Sequence, residues 1–241
     1  MGGIGSDAIG RGAELRAVLF DLDDTLFEQR DWLEGAWAAV AAAATPFGLE
    51  PRAFCRALRE VCDEGSHRGE IIDRALARSG RTDVAVAPLL AAFRAHAPER
   101  LDPYPGVADA LDSLRSHVAV ALVTDGDPAI QRAKLRALGL ESRFDIVVFG
   151  DELGREHRKP SPAGLLAALL ALGVEPGAAV YVGDRPDTDV AAAAAAGMRA
   201  IRVRTGEYAR RADVPQPWAT APDVPSAVEG LLQLSLLAAA R

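Results

Sequence analysis

The chain has 241 residues, of which 49% are apolar and 25% charged, with a formal net charge of -7. This composition is typical of a soluble globular protein with room for one catalytic domain and a substantial insertion. The negative charge argues against a general affinity for nucleic acid or anionic membranes. No stretch approaches the roughly 18 apolar residues of a membrane span, and the Gly-rich start lacks an apolar signal core. We therefore expect a cytoplasmic protein that acts on a small molecule.

Five short and nearly continuous apolar runs are typical of parallel strands that are buried on both faces. The predicted strands cover residues 16–21, 117–124, 144–149, 178–183 and 198–203. Helical patterns separate the later ones, at residues 106–115, 128–138, 161–172 and 187–196. Strands that alternate with helices predict a parallel α/β sheet.

The alternation is broken between the first two predicted strands, where four helical patterns follow one another. They cover residues 31–44, 51–62, 68–78 and 87–95. We interpret residues 27–103 as a small all-helical domain inserted into a catalytic core that comprises residues 16–26 and 104–241. Residues 1–15 are interpreted as a flexible leader. From Thr205 the chain is predicted to be loop-like until a last helix at residues 226–237.

Acidic residues follow the predicted strands at the end where parallel α/β sheets bind their ligands. Asp21 ends the first strand and can attack phosphorus to form an aspartyl-phosphate. Asp23 can protonate the leaving alcohol and then, as a carboxylate, activate the water that hydrolyses the intermediate. Two carboxylates repel a dianionic phosphate, so the pattern favours a hard cation such as Mg²⁺, with Asp184 after the fourth strand as an additional ligand.

Hydrogen-bond donors and positive charge for a phosphoryl group come from two further segments. Thr124 and the backbone after it, at Asp125 and Gly126, offer donors to a phosphoryl oxygen, and Lys159 offers a compact charge. The chain has two lysines against 25 arginines, which makes the lysines candidates for positions that need an ammonium group. The other lysine, Lys134, lies among arginines on a predicted helix and is interpreted as a solvated surface residue.

Four short motifs lie at the predicted strand ends, in chain order. They are Asp21-Leu-Asp-Asp-Thr25, Val-Thr124-Asp-Gly, Lys159-Pro-Ser-Pro and Val-Gly183-Asp-Arg-Pro-Asp-Thr-Asp189. Together they resemble the four ordered motifs of the haloacid dehalogenase-like (HAD) hydrolases, and the resemblance extends over nearly the whole chain except the leader.

The resemblance implies a Rossmann-like parallel sheet core with a helical cap domain, which would set the choice of substrate. It also implies Mg²⁺ bound by Asp21, the carbonyl of Asp23 and Asp184, with a supporting role for Asp189. Within the family, dehalogenases and phosphonate hydrolases lack an aspartate at the position of Asp23, because neither needs it to protonate an alkoxide. The resemblance therefore predicts a phosphatase that acts on a small phosphorylated metabolite. The sequence does not distinguish a monomer from a homodimer.

Several alternatives stay open at the level of sequence. Relatives commonly carry Asn where this chain has Asp125, so the role of that residue is not defined, and Asp151 and Glu152 after the third strand could also bind metal. A phosphomutase on the same scaffold would pass the phosphoryl group to a sugar hydroxyl instead of water. A catalytically silent ligand-binding protein is the third hypothesis, and it is expected to have lost Asp21, Asp23 or Lys159.

Overall fold

A six-stranded sheet, parallel throughout, forms the centre of the catalytic core. The computed structural model describes residues 14–65 and 68–239, so residues 1–13 of the predicted leader lie outside it. The strands are β1 (Ala17–Phe20), β2 (Ala119–Thr124), β3 (Ile146–Phe149), β4 (Ala179–Gly183), β5 (Arg199–Val203) and β6 (Ala219–Ala221). Their spatial order is β3-β2-β1-β4-β5-β6, which confirms the predicted Rossmann-like parallel α/β fold.

Strand β1 lies inside the sheet and pairs in parallel with β2 on one side and β4 on the other. The chain continues from β1 to β2 and β3 on one side, and then crosses from β3 to β4 on the other side of β1. This reversal makes the carboxyl ends of β1 and β4 the topological switch point of the sheet. Every residue of β1 and β4 is buried. Such strands are unbroken apolar runs in the sequence because both of their faces are covered.

The prediction of loop-like structure from Thr205 to the last helix was wrong at one place, since β6 adds a sixth strand to the edge of the sheet. It pairs with β5, Ile201 opposite Ala219 and Val203 opposite Ala221. The strand is only three residues long, Ala-Thr-Ala, which is too short for an alternating pattern to be visible. Its conformation is set by pairing with β5 rather than by local propensity.

Helices of the core pack on the sheet and cover its faces. They are α5 (Val107–Arg115), α6 (Pro128–Ala137), α7 (Ala163–Leu172), α8 (Ala191–Ala195) and α9 (Val224–Ala239). Buried residues of α7 and α8, among them Leu165 and Ala192, share one apolar cluster with Leu19 and Tyr181 of the sheet. The predicted helix at residues 187–196 is shorter than expected, because one wide turn, Pro186–Val190, precedes α8.

A second compact unit comprises Arg30–Glu99, and the remainder of the chain forms the first. The helices α1 (Gln29–Ala43), α2 (Pro51–Asp63), α3 (Ile71–Arg78) and α4 (Val86–Ala95) make up this helical unit, for which the sequence predicted residues 27–103. Its own core contains Trp37, Phe54 and Leu58, and the rings of Trp37 and Phe93 stack at 5.0 Å. Within the described part of the chain, no helix has both the length and the apolar character needed to cross a bilayer.

Candidate active site

The predicted site residues of the core meet at the carboxyl edge of the sheet. Asp21 follows β1, Thr124 ends β2 and Asp184 follows β4. The backbone N–H of Asp21 donates to the carbonyl of Val182 at 3.0 Å, which holds the start of the first motif against β4. Lys159 reaches the same place from the segment that precedes α7.

The side chain of Lys159 joins acidic residues of the first and fourth motifs. Its Nζ atom lies 2.5 Å from Oδ1 of Asp21, 2.7 Å from Oδ1 of Asp189 and 3.0 Å from the hydroxyl of Tyr181. The side chain is 7% exposed. Burial lowers the pKa of Lys159, but the charges of Asp189 and Asp21 outweigh it and keep that pKa well above its usual range. The lysine is therefore a fixed positive charge beside Asp21.

A compact group of buried carboxylates surrounds this charge. One oxygen each from Asp21, Asp184 and Asp189 lie within 4.8 Å of one another. Burial raises the pKa of Asp21 to about 7, although Lys159 opposes the shift. Burial and the charges of Asp189 and Asp21 also raise the pKa of Asp184. When ionised, the three carboxylates carry more negative charge than one lysine neutralises, and a bound cation would stabilise that ionised form.

Asp184 has one carboxylate oxygen that is available to bind a metal ion. Its Oδ2 atom is buried and has no hydrogen-bond partner among the residues described. Buried polar atoms are rarely left without a partner, and a cation at this position would give the carboxylate oxygen one. A hard divalent cation with carboxylate ligands fits this donor set.

Asp189 differs from Asp21 and Asp184 because both of its oxygens already have donors. Oδ1 faces Lys159, and Oδ2 accepts the backbone N–H of Arg185 at 3.0 Å. Gly183 allows this close approach, since a Cβ atom there would lie 2.6 Å from Cγ of Asp189. Asp189 is thus built to hold Lys159 and the turn after β4 rather than to present a free oxygen.

Asp23 is held by two residues of α6. Its Oδ2 accepts from Nε2 of Gln131 at 2.8 Å, and its Oδ1 lies 2.7 Å from Nζ of Lys134. Nε2 of Gln131 also donates to Oγ1 of Thr124 at 2.6 Å. Since Oγ1 accepts this bond, the hydroxyl proton of Thr124 is left to donate elsewhere, for example to a phosphoryl oxygen.

The interpretation of Lys134 as a solvated surface residue was wrong. Its side chain is 3% exposed and forms an ion pair with Asp23. The neighbouring Arg132 and Arg136 are exposed, so positive charge lies on the outer face of α6 while Lys134 points inward. A buried ammonium group requires a partner, and the carboxylate of Asp23, 111 positions away in the sequence, is that partner.

Asp125 and Gly126 participate in a hydrogen-bonded loop network. Oδ2 of Asp125 accepts the backbone N–H of Lys159 at 2.8 Å. The N–H of Gly126 donates to Oδ1 of Asp151 at 3.1 Å, and Arg158 binds both oxygens of Asp151 at 2.5 Å. The hydrogen bond from Arg158 lowers the pKa of Asp151, whereas burial raises the pKa of Asp125. These bonds position the segment that carries Lys159.

Sequence reasoning missed three residues that support the site. Gln131 and Tyr181 hold Thr124, Asp23 and Lys159 as described above. Arg202 on β5 is fully buried, and its Nε atom donates to the carbonyl of Asp184 at 3.0 Å. The one signal for Arg202 in the sequence was a charged residue between Ile201 and Val203 of a predicted buried strand, since buried charges are rare and must be paired.

Comparisons with known proteins agree with this geometry. The family described as "Hydrolase: haloacid dehalogenase-like hydrolase" matches residues 15–197. The chain is 38% identical over 202 residues to a glyceraldehyde 3-phosphate phosphatase of Methanopyrus kandleri, covering 80% of this chain and 86% of the relative. It is 36% identical over 206 residues to a phosphoglycolate phosphatase of Rhodospirillum rubrum, covering 81% of each chain.

Among solved structures, a 2-haloacid dehalogenase from Pseudomonas syringae superposes with a TM-score of 0.62 at 28% identity, covering 91% of this chain and 99% of that one. The sequence match, the order of the strands and the four motifs around one carboxyl edge all lead to the same assignment. The chain belongs to the haloacid dehalogenase-like hydrolases.

Proposed function

We propose that this protein is a Mg²⁺-dependent phosphatase that hydrolyses phosphomonoesters of small metabolites through an aspartyl-phosphate on Asp21. The observation that carries the proposal is Asp23, a second carboxylate at the end of β1, held by Gln131 and Lys134 and 19% exposed. An alkoxide leaving group needs a proton, and Asp23 has the position and the exposure to supply it. The phosphatase names of the relatives support the same activity.

In the first step, a carboxylate oxygen of Asp21 attacks phosphorus as the bond to the leaving oxygen breaks. Asp23 gives its proton to that oxygen, and the alcohol departs. In the second step Asp23, now a carboxylate, takes a proton from a water molecule that attacks the phosphorus. The bond to Asp21 breaks, inorganic phosphate is released, and both carboxyl groups regain their starting states.

Two residues of the core are proposed to stabilise the phosphoryl oxygens during both steps. Lys159 supplies a fixed charge next to the nucleophile, and Thr124 supplies its hydroxyl proton. Asp125 contributes by holding the backbone of Lys159. The proposed contact of Asp125 is therefore with the protein, and its carboxylate need not face the phosphate.

The metal would be held by Asp21, Asp184 and the backbone carbonyl of Asp23, with Asp189 in support. The orphaned Oδ2 of Asp184 and the crowded carboxylates support this assignment, and Mg²⁺ is the hard cation that such oxygen ligands favour in phosphoryl transfer. When bound, it would neutralise the repulsion between the carboxylates and a phosphate dianion. Small phosphorylated acids and aldehydes are the proposed substrates, following the names of the relatives.

The test is release of inorganic phosphate from glyceraldehyde 3-phosphate, phosphoglycolate and phosphoserine, with and without Mg²⁺. We expect Mg²⁺-dependent release that falls by about 10³-fold or more in Asp21→Asn. The matched control is Asp109→Asn, which neutralises an exposed aspartate of α5. Isomerised substrate without phosphate release would support a phosphomutase instead. No turnover by folded, Mg²⁺-loaded protein would support a silent binder.

A further inference from the structure

The carboxylate of Asp23 is fixed from behind by a single helix face. Gln131 and Lys134 lie three positions apart on α6, so their side chains leave the same side of the helix. One binds Oδ2 and the other Oδ1 of Asp23, at 2.8 and 2.7 Å. A carboxylate offers about four lone-pair sites. Two are occupied by α6, which leaves one on each oxygen for a reacting group.

Both donors on α6 are shielded from solvent. Gln131 is 2% and Lys134 3% exposed, while the side chain of Asp23 is 19% exposed. The Nζ atom of Lys134 also lies 6.0 Å from the ring centroid of buried Phe27. Solvent and substrate can therefore approach Asp23, whereas the groups that orient it are buried behind it.

The same helix face also reaches the phosphate-binding side of the proposed site. Nε2 of Gln131 donates to both Asp23 and Thr124, so one amide group sets the distance between a proton donor and a hydroxyl group. Because α6 begins directly after the motif that contains Thr124, with Asp127 as its N-terminal cap, the helix start fixes where Gln131 and Lys134 lie. Gln131 and Lys134 therefore hold both carboxylate oxygens of Asp23 from the same side.

We propose that Lys134 and Gln131 are positioning residues that hold Asp23 in the orientation needed for proton transfer. The inference rests on the proposed function, because it assigns Asp23 the proton that the leaving oxygen receives. Misplacing a reacting group by about 1 Å can cost about 10²-fold in rate. Without Lys134, Asp23 loses the donor to Oδ1 and is free to rotate away from the leaving group.

A positioning role predicts a loss that depends on the leaving group. An alkyl phosphate departs as a strongly basic alkoxide and needs the proton from Asp23, whereas p-nitrophenolate departs readily without one. The ratio kcat/KM reports the steps up to loss of the leaving group. A general weakening of the fold or of phosphate binding would reduce kcat/KM for both esters equally.

The experiment compares kcat/KM for phosphoglycolate and for p-nitrophenyl phosphate in wild type, Lys134→Met and Gln131→Met, all saturated with Mg²⁺. We expect Lys134→Met to lose about 10²-fold with phosphoglycolate and less than about 10-fold with p-nitrophenyl phosphate. Gln131→Met should show the same selectivity with a smaller loss. Arg136→Met, which removes an exposed cation from the same helix, is the control and should match wild type with both esters.

A burst of p-nitrophenol and the circular dichroism spectrum of the variant separate the outcomes. With p-nitrophenyl phosphate, Lys134→Met should release a burst of p-nitrophenol, since formation of the intermediate stays fast while activation of water by Asp23 becomes slow. Equal losses with the two esters, in a variant whose circular dichroism matches wild type, would overturn the inference and leave the proposed function intact. If Lys134→Met does not fold, Gln131→Met decides by the same criterion. A wild-type protein that hydrolyses neither these two esters nor glyceraldehyde 3-phosphate or phosphoserine overturns both proposals.

Discussion

Replacing Gly183 by alanine should push Asp189 away from Lys159. A Cβ atom at Gly183 would lie 2.6 Å from Cγ of Asp189, and ordinary contact begins at 3.4 Å, so the carboxylate must retreat by about 0.8 Å. It cannot do so freely, because Lys159 holds Oδ1 at 2.7 Å and the N–H of Arg185 holds Oδ2 at 3.0 Å. The displacement must therefore be shared with Lys159, which also contacts Asp21.

A displacement of this size is expected to lower kcat/KM for phosphate release by about 10- to 100-fold, with a loss of about 1–3 kcal/mol in the free energy of unfolding from overpacking. The assay is phosphate release at saturating Mg²⁺, together with urea unfolding. Gly177→Ala is the matched control, because a Cβ atom there meets nothing within 4 Å. A Gly183→Ala protein with wild-type kcat/KM would refute the argument that Asp189 and Lys159 must stay in contact.

The buried charges lead to three further predictions. Asp125→Asn keeps an acceptor for the N–H of Lys159 and removes a buried carboxylate whose pKa is raised by burial. With less negative charge near the bound phosphate ester, KM should fall a few-fold, and a higher KM would contradict this role. Burial raises the pKa of Asp21 to about 7 and also raises that of Asp184. Raised carboxyl pKa values mean that the metal-free fold retains protons which the unfolded chain loses, so its stability falls as pH rises from about 4 to about 7. Mg²⁺ must displace those protons, so the affinity for Mg²⁺ should weaken below about pH 7, and the buffer should take up protons when Mg²⁺ binds. Calorimetry that finds a pH-independent affinity would contradict this prediction. Arg202→Met removes donors to the carbonyls of Asp184, Arg211 and Tyr208 and to the carboxylate of Asp213. Urea unfolding should show that the free energy of unfolding falls by about 3–5 kcal/mol, and a fall below about 1 kcal/mol would contradict the prediction.

The features that could be predicted from the sequence are those with a local signal. Strands β1 to β4 lie in nearly continuous apolar runs, because the parallel sheet is covered on both faces. Strand β5 has the same apolar centre, interrupted by Arg199 and Arg202. The positions of Asp21 and Asp184 directly after two such runs were enough to predict that they lie near each other, since carboxyl ends of parallel strands share one edge. By contrast, β6 is only three residues long, and its strand conformation depends on its pairing with β5.

The features that could not be predicted depend on contacts between distant segments. The low lysine count drew attention to Lys134, but the arginines beside it favoured a surface position, and only the fold brings it to Asp23. Asp125 posed the same difficulty, since its partner is the backbone of Lys159, 34 positions later. Periodicity indicates which face of a helix is buried, but it does not identify the polar group that a buried polar side chain will meet.

The most direct test of the proposed chemistry is to trap a phosphoryl group on Asp21. Asp23→Asn cannot activate water, so with p-nitrophenyl phosphate and Mg²⁺ the intermediate should accumulate. Borohydride reduction after an acid quench converts an acyl phosphate to homoserine, which tandem mass spectrometry locates in the peptide. We expect homoserine at position 21, and only when both substrate and Mg²⁺ are present. Release of p-nitrophenol by the same protein with Asp21 unmodified, or with the label on another carboxylate, would contradict the proposed mechanism.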